Sequence, residues 1–120
     1  MSSAVASIEH IRGESICWGL RSDPEYDGTE TVTSEMKAPL NGSQVPASDA
    51  PVLESPTVTF IPAAGGEVAY WLFSLTASQT EALTEAAYIT DARVVYASGA
   101  VDYPDPILIK LKGRVTGDGS

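Results

Sequence analysis

The chain has 120 residues, of which 43% are hydrophobic and 19% charged, the balance of one globular domain and not of a disordered segment. Its 16 acidic residues against 7 basic ones leave a formal net charge of -9, which argues against nucleic acid or an anionic membrane as a partner. The single cysteine, Cys17, excludes an internal disulfide, and no apolar run approaches the ~18 residues of a membrane-spanning helix.

Residues 1–7 are small and polar, and they read as a loosely held N-terminal arm. They lack the basic and apolar regions of a signal peptide, so the chain is expected to be made in the cytoplasm and to stay or be assembled there. Ile8 to Leu20 holds two short strands on either side of a turn at Arg12-Gly13-Glu14. In the second, Ile16, Trp18 and Leu20 alternate with Cys17 and Gly19, and Cys17 is expected to be buried or half-buried. Asp23-Pro24-Glu25-Tyr26-Asp27-Gly28 is a turn cluster. Thr29 to Lys37 reads as a strand with Thr31, Thr33 and Glu35 opposite Val32 and Met36. Pro39 to Pro56 carries Pro39, Pro46, Pro51 and Pro56, a density that central strands do not tolerate, and is expected to be an irregular loop.

Thr57 to Ile61, the turn at Ala63-Ala64-Gly65-Gly66 and Glu67 to Leu75 form a predicted hairpin. Thr76 and Gln79 have the spacing of a capping box, which opens a helix from Ala77 to Glu85 that should lean on the sheet through Ala82 and Leu83. Tyr88 to Tyr96 is the next strand, with Ala92, Val94 and the two tyrosines on one side and Asp91, Arg93 and Val95 on the other; a turn at Gly99 and a proline-interrupted connection from Val101 to Pro106 follow. In the last strand Ile107, Ile109, Leu111 and Val115 share one face, with Lys110, Lys112 and Arg114 on the other, where lysines would blunt a sheet edge. Gly117 to Ser120 is a polar tail.

The sum is an all-β chain: an antiparallel β-sandwich of about seven strands with one short helix, forming a single domain over residues 8–116. Its predicted core is Ile16, Trp18, Leu20, Val58, Phe60, Trp71, Phe73, Leu75, Leu83, Tyr88, Val94, Ile107, Ile109 and Leu111.

Several stretches resemble a known family. Ile11-Arg12-Gly13-Glu14-Ser15 followed by Ile16-Cys17-Trp18 resembles the opening of small phage and prophage virion proteins. These carry an immunoglobulin-like domain similar to the N-terminal domain of the phage baseplate upper protein. Leu75 to Leu83, Tyr88-Ile89-Thr90-Asp91 and Gly113-Arg114-Val115-Thr116 resemble its close. The resemblance implies an immunoglobulin-like sandwich and a non-enzymatic structural protein of the virion, assembled in the host cytoplasm. Such a protein would sit at the tail or head–tail junction and dock to copies of itself or to other virion proteins. A decoration protein on the capsid surface and a carbohydrate-binding adsorption module are the alternatives. No catalytic, cofactor or metal residue is implied.

The residues agree with that expectation. Asp102 and Asp105, with Asp91, are the densest carboxylates for acid–base work or calcium, yet their spacing matches no established loop. His10 beside Glu9 is a poor metal site, and neither His10 nor Cys17 has a visible partner for nucleophilic chemistry. Arg12-Gly13-Glu14 is a turn. Trp18, Tyr70 and Trp71 could stack on sugars, but their alternation in strands favours burial of the tryptophans.

Overall fold

The computed structural model describes residues 6–22, 24–39 and 51–113. They form an all-β sandwich of two sheets. The strands are β1 (Ala6–Ile11), β2 (Ile16–Leu20), β3 (Thr31–Lys37), β4 (Thr57–Ile61), β5 (Tyr70–Leu75), β6 (Ala87–Val95), β7 (Val101–Asp102) and β8 (Ile107–Lys112). A helix, α1 (Ala77–Ala82), joins β5 to β6. The larger sheet runs β1-β8-β6-β3 with β7 also on β6, and the smaller one runs β2-β5-β4. Residues 40–50 of the proline-rich loop and residues 114–120, including Arg114 and Val115, lie outside the described residues.

Alternation places the faces. β3 buries Val32, Ser34 and Met36 and exposes Thr31, Thr33 and Glu35, while β5 buries Trp71, Phe73 and Leu75. The β4–β5 hairpin closes on Gly65 and Gly66, both at positive φ (57° and 87°), as a two-residue turn whose twist matches the strands. The core has two lobes. One gathers Ile16, Met36, Leu75, Leu83, Tyr88, Ile109 and Leu111; the other gathers Tyr26, Val32, Trp71, Phe73, Ala92 and Val94. Trp18 touches both lobes and stacks on Phe73 with ring centroids 5.9 Å apart. Trp18, Leu20, Val58, Phe60 and Ile107, expected in the core, are half-buried and pack on its margins.

Four expectations need correction. β1 begins at Ala6, so Ala6 and Ser7 belong to a strand and not to an arm. It pairs with β8 in parallel, so the sandwich is not wholly antiparallel. The turn at Gly13 (φ 93°) lifts the chain from one sheet to the other. As a consequence β8 lies inside its sheet, between β1 and β6, and Lys110 and Lys112 blunt no edge. They face solvent, where Lys112 Nζ comes within 3.1 Å of Glu9 Oε1, an exposed pair worth little. Cys17 is exposed, because the period that buries Ile16 turns its neighbour outward.

The helix is also shorter than expected. Thr76 and Gln79 form both bonds of the capping box, but helical geometry stops at Ala82, and Leu83 turns extended (φ -78°, ψ 122°) to reach the core. Ala82 is exposed; the buried helical residue is Thr80. Thr80 Oγ1 donates to the Glu14 carbonyl at 2.9 Å and accepts from the Gly13 amide at 3.0 Å, which ties α1 to the crossover turn. Thr80→Val keeps the shape and strands both backbone groups. It is expected to cost about 1–3 kcal/mol in urea denaturation; an unchanged midpoint would show that the tie is dispensable.

Candidate docking surface

The last strand of the larger sheet is split. Val94 and Val95 pair with Asp102 and Val101, and Ala87 to Thr90 pair with Lys110 to Ile107. Between these blocks Asp91, Ala92 and Arg93 stand opposite Tyr103, Pro104, Asp105 and Pro106, so one extra residue bulges out. The two prolines bring no amide to the ladder, which explains why pairing lapses there. On the inner side the lapse leaves a small crevice walled by Trp18, Leu20, Phe73 and Ile107. On the outer side it presents Tyr103 to solvent.

The outer face of β3 and β6 carries rows set by the register: Thr31 with Val95, Thr33 with Arg93, Glu35 with Asp91. Val101 extends the first row, since it pairs with Val95. Tyr103 extends the second, because Arg93 Nε donates to its hydroxyl at 3.2 Å. Thr33, Ser34, Glu35, Lys37, Asp91, Arg93 and Tyr103 line one shallow depression. Tyr103 is 62% and Val101 45% exposed, among the most open large hydrophobic residues of the described chain. Two more, Val52 and Leu53, flank the far edge of the same sheet, where Leu53 N donates to Met36 O and Met36 N to Glu54 O, both at 2.8 Å.

Glu35 and Asp91 are like charges directly across a strand pair, an arrangement that is unfavourable alone. Lys37 Nζ sits 3.6 Å from Glu35 Oε1 and offsets part of it. Burial pushes the Asp91 carboxyl above its usual range; Lys37 opposes that rise and Glu35 adds to it. An acid whose value is raised on folding is destabilising once ionised, so Asp91 weakens the fold at neutral pH and not below the ordinary aspartate value of about 4. Its solvent contact keeps the effect small. Asp91→Asn is expected to raise the melting temperature at pH 7, with the gain closing as pH falls below about 4. A gain that persists in acid would mean that ionisation is not its source.

The other candidates are dispersed. His10 Nε2 contacts the Glu14 carbonyl at 3.1 Å, whereas Glu9, next in sequence and on the opposite strand face, turns to Lys112. That contact holds Glu9 below the usual glutamate range. Among the described residues no group of three His, Cys, Asp or Glu side chains is placed to hold a metal ion. Asp91 and Asp105 both line the crevice by Trp18, while Asp102 pairs with Val94 farther along β6. Arg12-Gly13-Glu14 is a turn, closed by Glu14 N to Ile11 O at 3.2 Å. Trp71 is buried and Tyr70 half-buried, with the Arg21 guanidinium 4.4 Å above the Tyr70 ring.

No protein-family model matches the chain, and no curated protein matches it.

The Arg93–Tyr103 pair had no sequence signal beyond the placement of Asp91 and Arg93 on one face. Tyr103 precedes a proline in a connection, and its partner is set by the bulge.

Proposed function

We propose that this chain is a non-enzymatic structural protein of a phage virion, tail or head–tail associated, that acts by docking to other proteins through a rigid immunoglobulin-like sandwich. The observation that carries this reading is the strand order. Strands β2, β4 and β5 form one sheet and β3, β6 and β8 the other, the division of strands B, D, E and C, F, G in immunoglobulin sandwiches. The Tyr88 hydroxyl, near the start of β6, accepts from the Glu85 amide at 2.8 Å, as in the tyrosine corner of those domains. Tyr88 belongs to one of the stretches that resemble phage virion proteins. The sugar-binding alternative loses Trp71, which is buried.

Purified particles of the phage or prophage that encodes the chain test the reading by quantitative mass spectrometry. Copies on the order of tens or fewer support the tail or head–tail site; copies on the order of hundreds move the protein to the capsid surface. Absence from the particle ends the virion reading.

A further inference from the structure

The outer face of β3, β6 and β7 is chemically self-complementary. We infer that it docks on the same face of a second copy of this chain, related by a two-fold axis. This names a partner for the docking reading above and rests on it. The argument starts from the rows. Arg93 and the Glu35–Asp91 pair occupy consecutive rows of one face, hence about 7 Å apart along the strand. A two-fold axis that lies between the two faces, parallel to them and perpendicular to the strands, and passes between those rows brings Arg93 of each copy over the carboxylates of the other. Each copy then relieves the like-charge pair of its partner, twice per interface, as an isologous contact requires.

The rest of the patch suits such a contact. Tyr103, held by Arg93 Nε at 3.2 Å, is an exposed aromatic whose polar tip is already fixed, so little rotamer freedom remains to be lost on docking. Tyr and Arg are the side chains that most often anchor interfaces. Val101 and Val95 add an apolar row beside them.

Size and charge set the strength. Three strands about 4.8 Å apart and about 23 Å long present a face of a few hundred Å² per copy, below the ~800 Å² of a standard interface. The net charge of -9 on each copy also repels, although screening confines that to about 8 Å at physiological ionic strength. The contact is therefore weak in free solution and gains its occupancy where many copies are held together, as in a particle.

Sedimentation equilibrium at physiological ionic strength, from micromolar to millimolar protein, tests this. The average mass should climb from 12.6 kDa towards twice that value as concentration rises. Arg93→Glu should hold it at the monomer mass, as should Asp91→Arg. The double variant Arg93→Glu with Asp91→Arg exchanges the two charges across the axis and should recover association. Circular dichroism confirms that each variant is folded. A wild-type mass that stays at 12.6 kDa throughout, association unaffected by Arg93→Glu, or a folded double variant that fails to recover it would each overturn the inference. None of these touches the virion reading, which stands or falls on particle composition.

Discussion

Trp71→Ala should remove about 3–5 kcal/mol of stability, a third or more of what a domain of this size usually has. The indole is buried on β5, the middle strand of its sheet, with Leu20 of β2 on one side in the register and Phe60 of β4 on the other. The Phe60 ring lies 5.2 Å away, tilted by 57°. Removing the indole takes away a large apolar surface and leaves a cavity that β-sheet backbone on both sides cannot collapse into. It also deletes a hydrogen bond, since Trp71 Nε1 donates to Glu30 Oε1 at 3.1 Å. Trp71→Phe separates the two effects: it keeps much of the packing and loses only the donor, so about 1–2 kcal/mol is expected. Urea denaturation followed by far-ultraviolet circular dichroism measures both, and Trp18 remains as a fluorescent reporter. A loss below about 1 kcal/mol for Trp71→Ala would mean that the indole is not part of the core, and would reopen a role for it at a ligand.

What could be read from the residues was whatever repeats locally. Two-residue alternation identified the inward faces of β3 and β5, because a strand has no other way to bury one face. The glycine pair at 65–66 and the Thr76–Gln79 cap announced themselves because each needs a particular backbone geometry. Features that depend on distant partners were not legible. Tyr26 sits in a proline- and glycine-rich turn cluster, yet it is 3% exposed and packs beside Tyr96, with ring centroids 6.5 Å apart. That burial pushes its hydroxyl above the usual tyrosine range. Leu108 shares the outward face of β8 with Lys110 and is nonetheless buried, and so is Ile89 across from it. Alternation assigns a face but does not say what covers it. The parallel pairing of β1 with β8 was hidden for a related reason: two short strands around a glycine look the same whether they pair or part into different sheets. The proposed docking patch combines both cases. Alternation put Asp91 and Arg93 on one face, but only the register across to β3, and the bulge at Tyr103 to Pro106, brings Glu35 and Tyr103 beside them.

Glu30→Ala should cost about as much as any core truncation, although it removes a charged residue from a strongly acidic chain. Glu30 is 8% exposed, which calls for partners, and it has three N–H donors. Oε1 accepts from Gly28 N and from Trp71 Nε1, and Oε2 accepts from Asp27 N, each at 3.1 Å. One carboxylate therefore closes the turn that leads into β3 and fastens it to β5 in the opposite sheet. The turn depends on that closure. Gly28 holds a positive φ of 91°, and a Cβ there would come within 2.9 Å of the Phe60 ring, so the loop packs tightly on the smaller sheet. Alanine at position 30 leaves three donors without their acceptor, at about 1–3 kcal/mol for each that water cannot reach, and about 3–5 kcal/mol in total once partial rehydration of the turn is allowed for. Glu30→Gln keeps one acceptor oxygen but aims an NH2 group at donors, so it should fall between wild type and alanine. Because Glu30 and Trp71 share a bond, their losses should not add. The double variant with Trp71→Phe is expected to be less destabilised than the sum of the singles by about 1 kcal/mol. Strict additivity in that cycle would show that the carboxylate and the indole act separately.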